Sequence, residues 1–372
     1  MDFTVRLIYA CQRIGGDPGT GGQATVTNSE TGPGTGKTVV IFRLGSLGDT
    51  VAALPCFHAI ARRYPDHRRV VLTNAPVAEN AAPLLAVLGQ TGVVHGAIAY
   101  PVGARSVSVL GALLKRLRAM KPDAIVYLAP SRGASAVLRD WLFLRLAAPV
   151  KAVTWGKDMR QCRVDPATGV MEREASRLAR TIARDIGPVD LYDPKAWDLE
   201  LTAGEREAAD RALAPFGGKP FVTIHMGTKV PQNDWGETRW GDFLARLSEG
   251  LSERGGDTGL VVLGAPSDRE RADALAPRWK GQVLVLAGDL APRESAAVLE
   301  KARLFIGHDS GPLHMSVAVG CPSVGLFSAN NPPIKWHPIG DHVRVIHRMA
   351  GIDTITVEEA YDAASDLLAQ PR

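Results

Sequence analysis

The stretch His308-Asp309-Ser310-Gly311-Pro312-Leu313-His314 lies between an apolar run, Ala302-Arg303-Leu304-Phe305-Ile306-Gly307, and a run of small residues, Met315-Ser316-Val317-Ala318-Val319-Gly320. Strand, tight turn, helix is the reading, and that geometry aims the free backbone N–H groups of a helix start at an anion. Ser310 or Gly311 serves as N-cap, and Pro312 fits the first helical position, where no N–H is needed. Asp309 and His314 then stand at the mouth of the helix, able to bond the polar groups of an arriving phosphate. An ordinary βα turn with well-chosen capping residues would read the same way, so the turn alone speaks for fold more than for function.

Working outward, the same alternation runs through most of the chain. Strands are expected at 39–43, 69–73, 93–99, 124–128 and 152–155, with helices at 49–64 (kinked or restarted by Pro55), 107–120 and 134–146. Prolines and aspartates from Gly187 to Gly204 break the rhythm and mark a linker. A second series follows, with strands at 221–224, 259–263, 283–287, 304–306, 323–327 and 343–346. Its helices are expected at 240–253, 268–276, 293–301 and 313–319, and an amphipathic helix at 357–368 closes the chain. The expectation is an α/β protein of two Rossmann-like, doubly wound parallel-sheet domains facing a cleft. The boundaries follow: a Gly/Thr/Ser-rich flexible extension over 1–37, a first domain over 38–187, a linker over 188–204, a second domain over 205–350, and a closing segment over 351–372. Ligands bind outside the carboxyl ends of such strands, and the chain's two most distinctive turns fall there, one in each half.

The second of these turns ends Val39-Val40-Ile41-Phe42-Arg43-Leu44-Gly45-Ser46-Leu47-Gly48-Asp49 and runs on through Leu54-Pro55 to Tyr64-Pro65. Together with the Asp309–His314 turn and Gly320-Cys321-Pro322 after it, this segment resembles glycosyltransferase family 9, the heptosyltransferase-like enzymes. The resemblance covers roughly 38–350, and the two motifs together are far more specific than either alone. It implies a two-domain glycosyltransferase B fold and transfer of a sugar from a nucleotide-diphosphate donor to a lipid-linked or polysaccharide acceptor. It also implies a place in bacterial envelope glycan assembly such as lipopolysaccharide synthesis. The donor sugar could be a heptose, and the acceptor would lie at the cytoplasmic face of the inner membrane, with room for peripheral contact there.

Sugar transfer needs a base for the acceptor hydroxyl, stabilisation of the diphosphate, and exclusion of water. Asp49 is the candidate base, and a helix-capping role is the plain alternative for the same residue. Gly45, Ser46 and Gly48 form the acceptor-side turn, where glycines let a ligand approach the backbone. Asp309, Ser310, Gly311, Pro312 and His314 are the expected donor site. Thr228 and Lys229 lie in His225–Trp240, which resembles the family stretch where a lysine before Arg-Trp-Pro contacts donor phosphate. Here Asn233-Asp234-Trp235-Gly236 departs from that pattern, so Lys229 is either the substitute cation or a solvated loop lysine, and a heptose donor is not assumed. Gly264, in Gly264-Ala265-Pro266-Ser267-Asp268, either admits the nucleoside or is a plain turn glycine. Asn330, Asn331 and Lys335 lie where the family lines donor sugar and phosphate, with Lys335 the better candidate. Without an Asp-x-Asp triplet or a His/carboxylate cluster, neither metal nor cofactor is expected.

Composition bounds the alternatives. Hydrophobic content of 45% and mixed charge fit a soluble globular protein, and a net charge of +4 is too small and dispersed for nucleic acid. Cys11, Cys56, Cys162 and Cys321 have no paired spacing, which points to a reducing, cytoplasmic compartment. No secretory signal is read at Val5–Ala10, and no run is long enough to span a bilayer. Thr31-Gly32-Pro33-Gly34-Thr35-Gly36-Lys37-Thr38 imitates an ATPase phosphate loop, but Thr31 stands where the first glycine belongs and the loop precedes a strand instead of a helix. Arg62, Arg63, Arg68 and Arg69 read as solvated charge, with anionic lipid headgroups as the alternative partner. Two rival functions are a nucleotide-sugar epimerase, for which His58, His225 or His314 could serve, and a catalytically silent sugar-nucleotide binding module.

Overall fold

The computed structural model of the protein describes residues 26–27, 36–75, 84–89, 91–101, 106–148 and 162–370. Its first sheet comprises β1 (Val26–Thr27), β2 (Thr38–Phe42), β3 (Arg68–Ala75), β4 (Gly96–Pro101) and β5 (Ala124–Tyr127), in the order β1-β4-β3-β2-β5. All pairings are parallel except that of β1 with β4. β2 lies between β3 and β5 and is wholly buried, which its unbroken Val-Val-Ile-Phe run requires of a strand covered on both faces. Successive side chains point opposite ways: Val39 and Ile41 enter one core with α2 (Leu54–Arg63) and α6 (Glu174–Ile186). Val40 and Phe42 enter another with α4 (Val107–Ala119) and α5 (Ala134–Ala147).

The second sheet is entirely parallel: β6 (Phe221–His225), β7 (Gly259–Leu263), β8 (Val283–Val285), β9 (Phe305–His308), β10 (Ser323–Ser328) and β11 (Val343–Arg348), ordered β11-β10-β9-β6-β7-β8. One face packs on α8 (Glu237–Glu253) and the closing helix α12 (Val357–Ala369), around Trp235, Trp240 and Phe243. The other packs on α10 (Pro292–Lys301) and α11 (Gly311–Ala318) and joins the core of the first sheet, through Leu199 and Leu201. The two doubly wound halves thus share one continuous apolar core at their junction.

Several expectations need adjusting. The helix expected over 49–64 is two helices, α1 (Leu47–Ala52) and α2, broken at Ala53 just before Leu54-Pro55. The proline then sits in the first turn of α2, where its missing N–H costs nothing. The strand expected at 93–99 lies at Gly96–Pro101, and that expected at 152–155 falls outside the described residues, as do residues 31–35 of the ATPase-like loop. Three helices were not anticipated: the short α3 (Leu85–Leu88), α6 and α7 (Ala203–Leu213). α6 shows the spacing Ala175, Leu178, Ala179, Ile182, Ile186. α7 opens on a capping box, with Glu205 N donating to Thr202 Oγ1 at 3.3 Å and Thr202 N to Glu205 Oε2 at 2.8 Å.

The arginine cluster also reads differently. Arg69 is buried, and its guanidinium donates to the carbonyls of Val93 (2.9 Å), Tyr64 (2.7 Å) and Gly92 (2.8 Å). It ties the start of β3 to its neighbours and leaves the solvated patch to Arg62 and Arg63. That patch is at the amino ends of the strands, away from the cleft.

Candidate active site

The site begins with Gly45, whose φ of +126° suits only a residue without a Cβ. A Cβ there would also fall 2.5 Å from Asp49. The turn brings the Asp49 carboxylate back over itself, and Oδ2 accepts from Ser46 N at 2.8 Å and Ser46 Oγ at 3.1 Å. Asp49 therefore does hold the start of α1, as the capping alternative foresaw. Behind it, Arg43 is wholly buried. Its guanidinium donates to Leu128 O at 2.9 Å and to the Asp49 carbonyl, and lies 4.0 Å from Asp49 Oδ1. Removal from water lowers the Arg43 pKa, and Asp49 and Glu174 oppose that shift.

Across the cleft, β9 ends at His308 and α11 begins at Gly311, with Ser310 as N-cap. Pro312 occupies the second helical position, not the first as expected, and serves equally well because no N–H in the first turn has an intrahelical partner. Ser310 Oγ is buried without a hydrogen-bond partner among the described residues. Asp309 Oδ2 accepts from Asn331 Nδ2 at 2.5 Å, and Oδ1 is 4.0 Å from His314 Nε2. Burial raises the Asp309 pKa to about 6, with Asn331 opposing and Asp49 adding to the shift. Burial lowers that of His314 to about 4, with Asp49 opposing, so this imidazole is neutral near pH 7.

The two turns meet. A Cβ on Gly48 would stand 3.2 Å from His314 Cδ2 and 3.6 Å from Gly311 N, while one on Gly311 would collide with the Leu47 side chain. The space at Gly311 that the sequence reading reserved for a donor is thus held, in this arrangement, by Leu47 of the opposite half. Asp49 and Asp309 are close enough to feel each other's charge. Lys229, exposed on the loop after β6, is near enough to feel the Asp49 charge: partial desolvation lowers its pKa and Asp49 pulls it back up.

Lys335 and His314 line one small cavity of about 10 Å³, together with Ala52, Glu174 and Trp336. Lys335 O accepts from Glu174 N at 2.8 Å, and the Lys335 charge acts on the buried Glu174, which pairs with Arg177 at 2.6 Å. Thr228 instead closes its own turn, donating to Val230 O at 3.1 Å. Gly264 stands at the same sheet edge, but Asp268 fills the space beside it and accepts from Ala265 N at 2.8 Å. Asn233 is buried, and its Oδ1 accepts from Asn330 Nδ2 at 2.6 Å and from Ser328 Oγ, binding the loop to the end of β10. The next residue, Asp234, holds Arg271 at 2.6 and 2.9 Å.

The remaining histidines serve other ends. His58 faces Asp198 O in the linker at 2.7 Å, and His225 is buried near Asp268, its Nδ1 without a hydrogen-bond partner among the described residues. Among the described residues no three His, Cys, Asp or Glu side chains are grouped to hold a metal ion. Arg43, Glu174 and Arg177 were missed as parts of this wall. The i,i+3 pair in Glu174-Ala175-Ser176-Arg177 was their visible signal.

Comparison with known proteins agrees with this architecture. Residues 110–358, more than half of the chain, match the family profile of glycosyltransferase family 9 (heptosyltransferase). The chain is 23% identical over 305 residues to lipopolysaccharide heptosyltransferase 3 of Escherichia coli K12, a match covering 80% of this chain and 83% of the relative. The crystal structure of a family 9 glycosyltransferase from Veillonella parvula superimposes with a TM-score of 0.69 at 20% identity, over 92% of this chain and 99% of that one. The E. coli heptosyltransferase WaaC with ADP gives a TM-score of 0.61 at 18% identity, over 89% and 99% respectively. Both show the same two-domain fold.

Proposed function

The chain belongs to glycosyltransferase family 9, and from that footing we propose that it is an inverting, metal-independent glycosyltransferase of bacterial envelope glycan synthesis. The observation that carries the reading is the meeting, across one cleft, of the Asp49 turn and the mouth of α11. In the proposed step Asp49 takes the proton of the acceptor hydroxyl while that oxygen bonds to the anomeric carbon. The bond from that carbon to the diphosphate breaks on the opposite face, which inverts the centre. The leaving charge goes to the first-turn amides of α11, to Ser310 and to Lys229, in a site whose buried walls exclude water. His314 is neutral and contributes a hydrogen bond rather than charge.

The donor is a nucleotide-diphosphate sugar and the acceptor a lipid-linked or polysaccharide glycan, reached from the cytoplasmic side of the inner membrane. ADP-heptose is the first donor to test, because relatives of the chain are heptosyltransferases. The exchange of the family's lysine for buried Asn233 argues for testing UDP- and GDP-sugars beside it. A thermal-shift screen decides the donor class: one nucleotide family should raise the melting temperature, by an amount that grows with ligand concentration. No shift with any nucleotide sugar on folded protein would contradict the proposal. A second assignment of the base, to Asp309, draws on its raised pKa of about 6, nearer the working pH. Asp309→Asn turnover separates the two.

A further inference from the structure

Helix α5 carries Leu138, Leu142 and Leu146 at four-residue intervals, and they are 51%, 52% and 58% exposed. Four-residue spacing puts all three on one outward face. The opposite face, with Val137, Leu144 and Ala147, fills the core under the first sheet. The outward stripe is therefore surplus to folding.

Its surroundings are one-sided in charge. Between Ser106 and Ala148 the sequence has seven lysines and arginines against two acids, Asp123 and Asp140. Both acids are engaged. Asp140 is buried and accepts from Tyr127 Oη at 3.0 Å and from Arg132, and Asp123 accepts from Thr38 N at 2.9 Å. Arg139 is 69% exposed beside Leu138, and Arg145 lies over the Trp141 ring at 4.7 Å. Arg118 reaches from α4 to Leu146 O at 2.7 Å and so brings a third cation to the end of the stripe. Leucines and a tryptophan bordered by arginines, on a helix whose one acid, Asp140, is buried, are what an anionic bilayer surface binds. A second copy of the same face would repel this one.

We propose that the outward face of α5, fringed by Arg139, Arg145 and Arg118, docks the protein peripherally on an anionic phospholipid bilayer. The surface lies on the half that carries Asp49, on a different element from the Arg62, Arg63, Arg68 and Arg69 cluster, which in the sequence reads as solvated charge with lipid only as the alternative partner. The inference goes beyond the sugar-transfer reading and does not rest on it, since docking is measured with neither donor nor acceptor present.

The test is co-sedimentation of the full chain with vesicles of phosphatidylcholine and phosphatidylglycerol in a two-to-one mixture. The wild type should bind, and more weakly to phosphatidylcholine alone or at high salt. Leu142→Glu and the pair Arg139→Glu/Arg145→Glu should each lower the partition coefficient at least ten-fold. All these side chains are at the surface, so the melting temperature and nucleotide binding should stay at wild-type values. Binding by folded Leu142→Glu protein equal to wild type would overturn the proposal. So would a wild type that ignores the mixed vesicles but forms a dimer that Leu142→Glu dissolves, which would make the face a contact between copies.

Discussion

Asp309 and His314 stand 4.0 Å apart at the mouth of α11 with pKa values moved in opposite directions by the same burial. The signs have opposite consequences for stability. His314, depressed from 6.5 to about 4, contributes stability that is present above pH 6.5 and lost as pH falls toward 4. Asp309, raised from 3.8 to about 6, binds its proton more tightly folded than unfolded, so its contribution is present below pH 4 and lost as pH rises toward 6. Asp309→Asn removes the second effect alone. Relative to wild type, that variant should gain about 1–3 kcal/mol of stability between pH 4 and pH 7, read from denaturant melts at the two pH values. An unchanged difference between the two pH values would mean that Asp309 is not desolvated as described. The residue types at this mouth were legible because turn chemistry is local. Their titration was not, since it comes from burial beneath the other half of the molecule.

At the scale of elements, most strands and most helices of the described residues followed from periodicity, because a strand buried on both faces reads as a continuous apolar run. The contact between the N-termini of α1 and α11 could not be read that way. Gly48 and Gly311 looked like glycines cleared for a ligand, and the structure shows each also cleared for the other's helix. This changes how Gly311→Val is interpreted. The substitution should weaken nucleotide binding, either by blocking the diphosphate or by driving Leu47 and the two halves apart. Leu47→Ala separates the causes, because it makes room for the valine. If the diphosphate binds at this turn, the double variant should stay at least ten-fold weaker than Leu47→Ala alone in calorimetric titration with the nucleotide. Full recovery of affinity in the double variant would reduce Gly311 to a packing glycine.

At the scale of the whole molecule, one buried cation reinforces the apolar junction between the halves. Arg293 of α10 donates to Glu205 at 2.6 and 2.9 Å, to Val87 O of the first half at 2.7 Å, and to the linker carbonyls of Leu199 (2.8 Å) and Glu200 (2.9 Å). Partnership with Arg293 holds Glu205 below the usual carboxylate range against the opposing effect of burial. Arg293→Ala should cost about 3–5 kcal/mol, since it strands a buried carboxylate and three carbonyls. A loss below about 1 kcal/mol in chemical denaturation would show that the halves are held elsewhere. Nothing in the sequence around Arg293 marked it, because its partners are distant in the chain. The same division of labour between halves sets the decisive test of the proposed chemistry. Asp49 belongs to one half and the donor's helix mouth to the other, so a fault in the base should leave donor binding intact. Asn keeps the size of Asp49 and an acceptor for Ser46 N, yet cannot take a proton. The measurement is turnover and donor dissociation constant on one Asp49→Asn preparation, with its melting temperature as control. The account predicts turnover lower by about 10²–10⁴ with donor affinity little changed. Near-normal turnover would contradict it and leave Asp49 as the cap of α1.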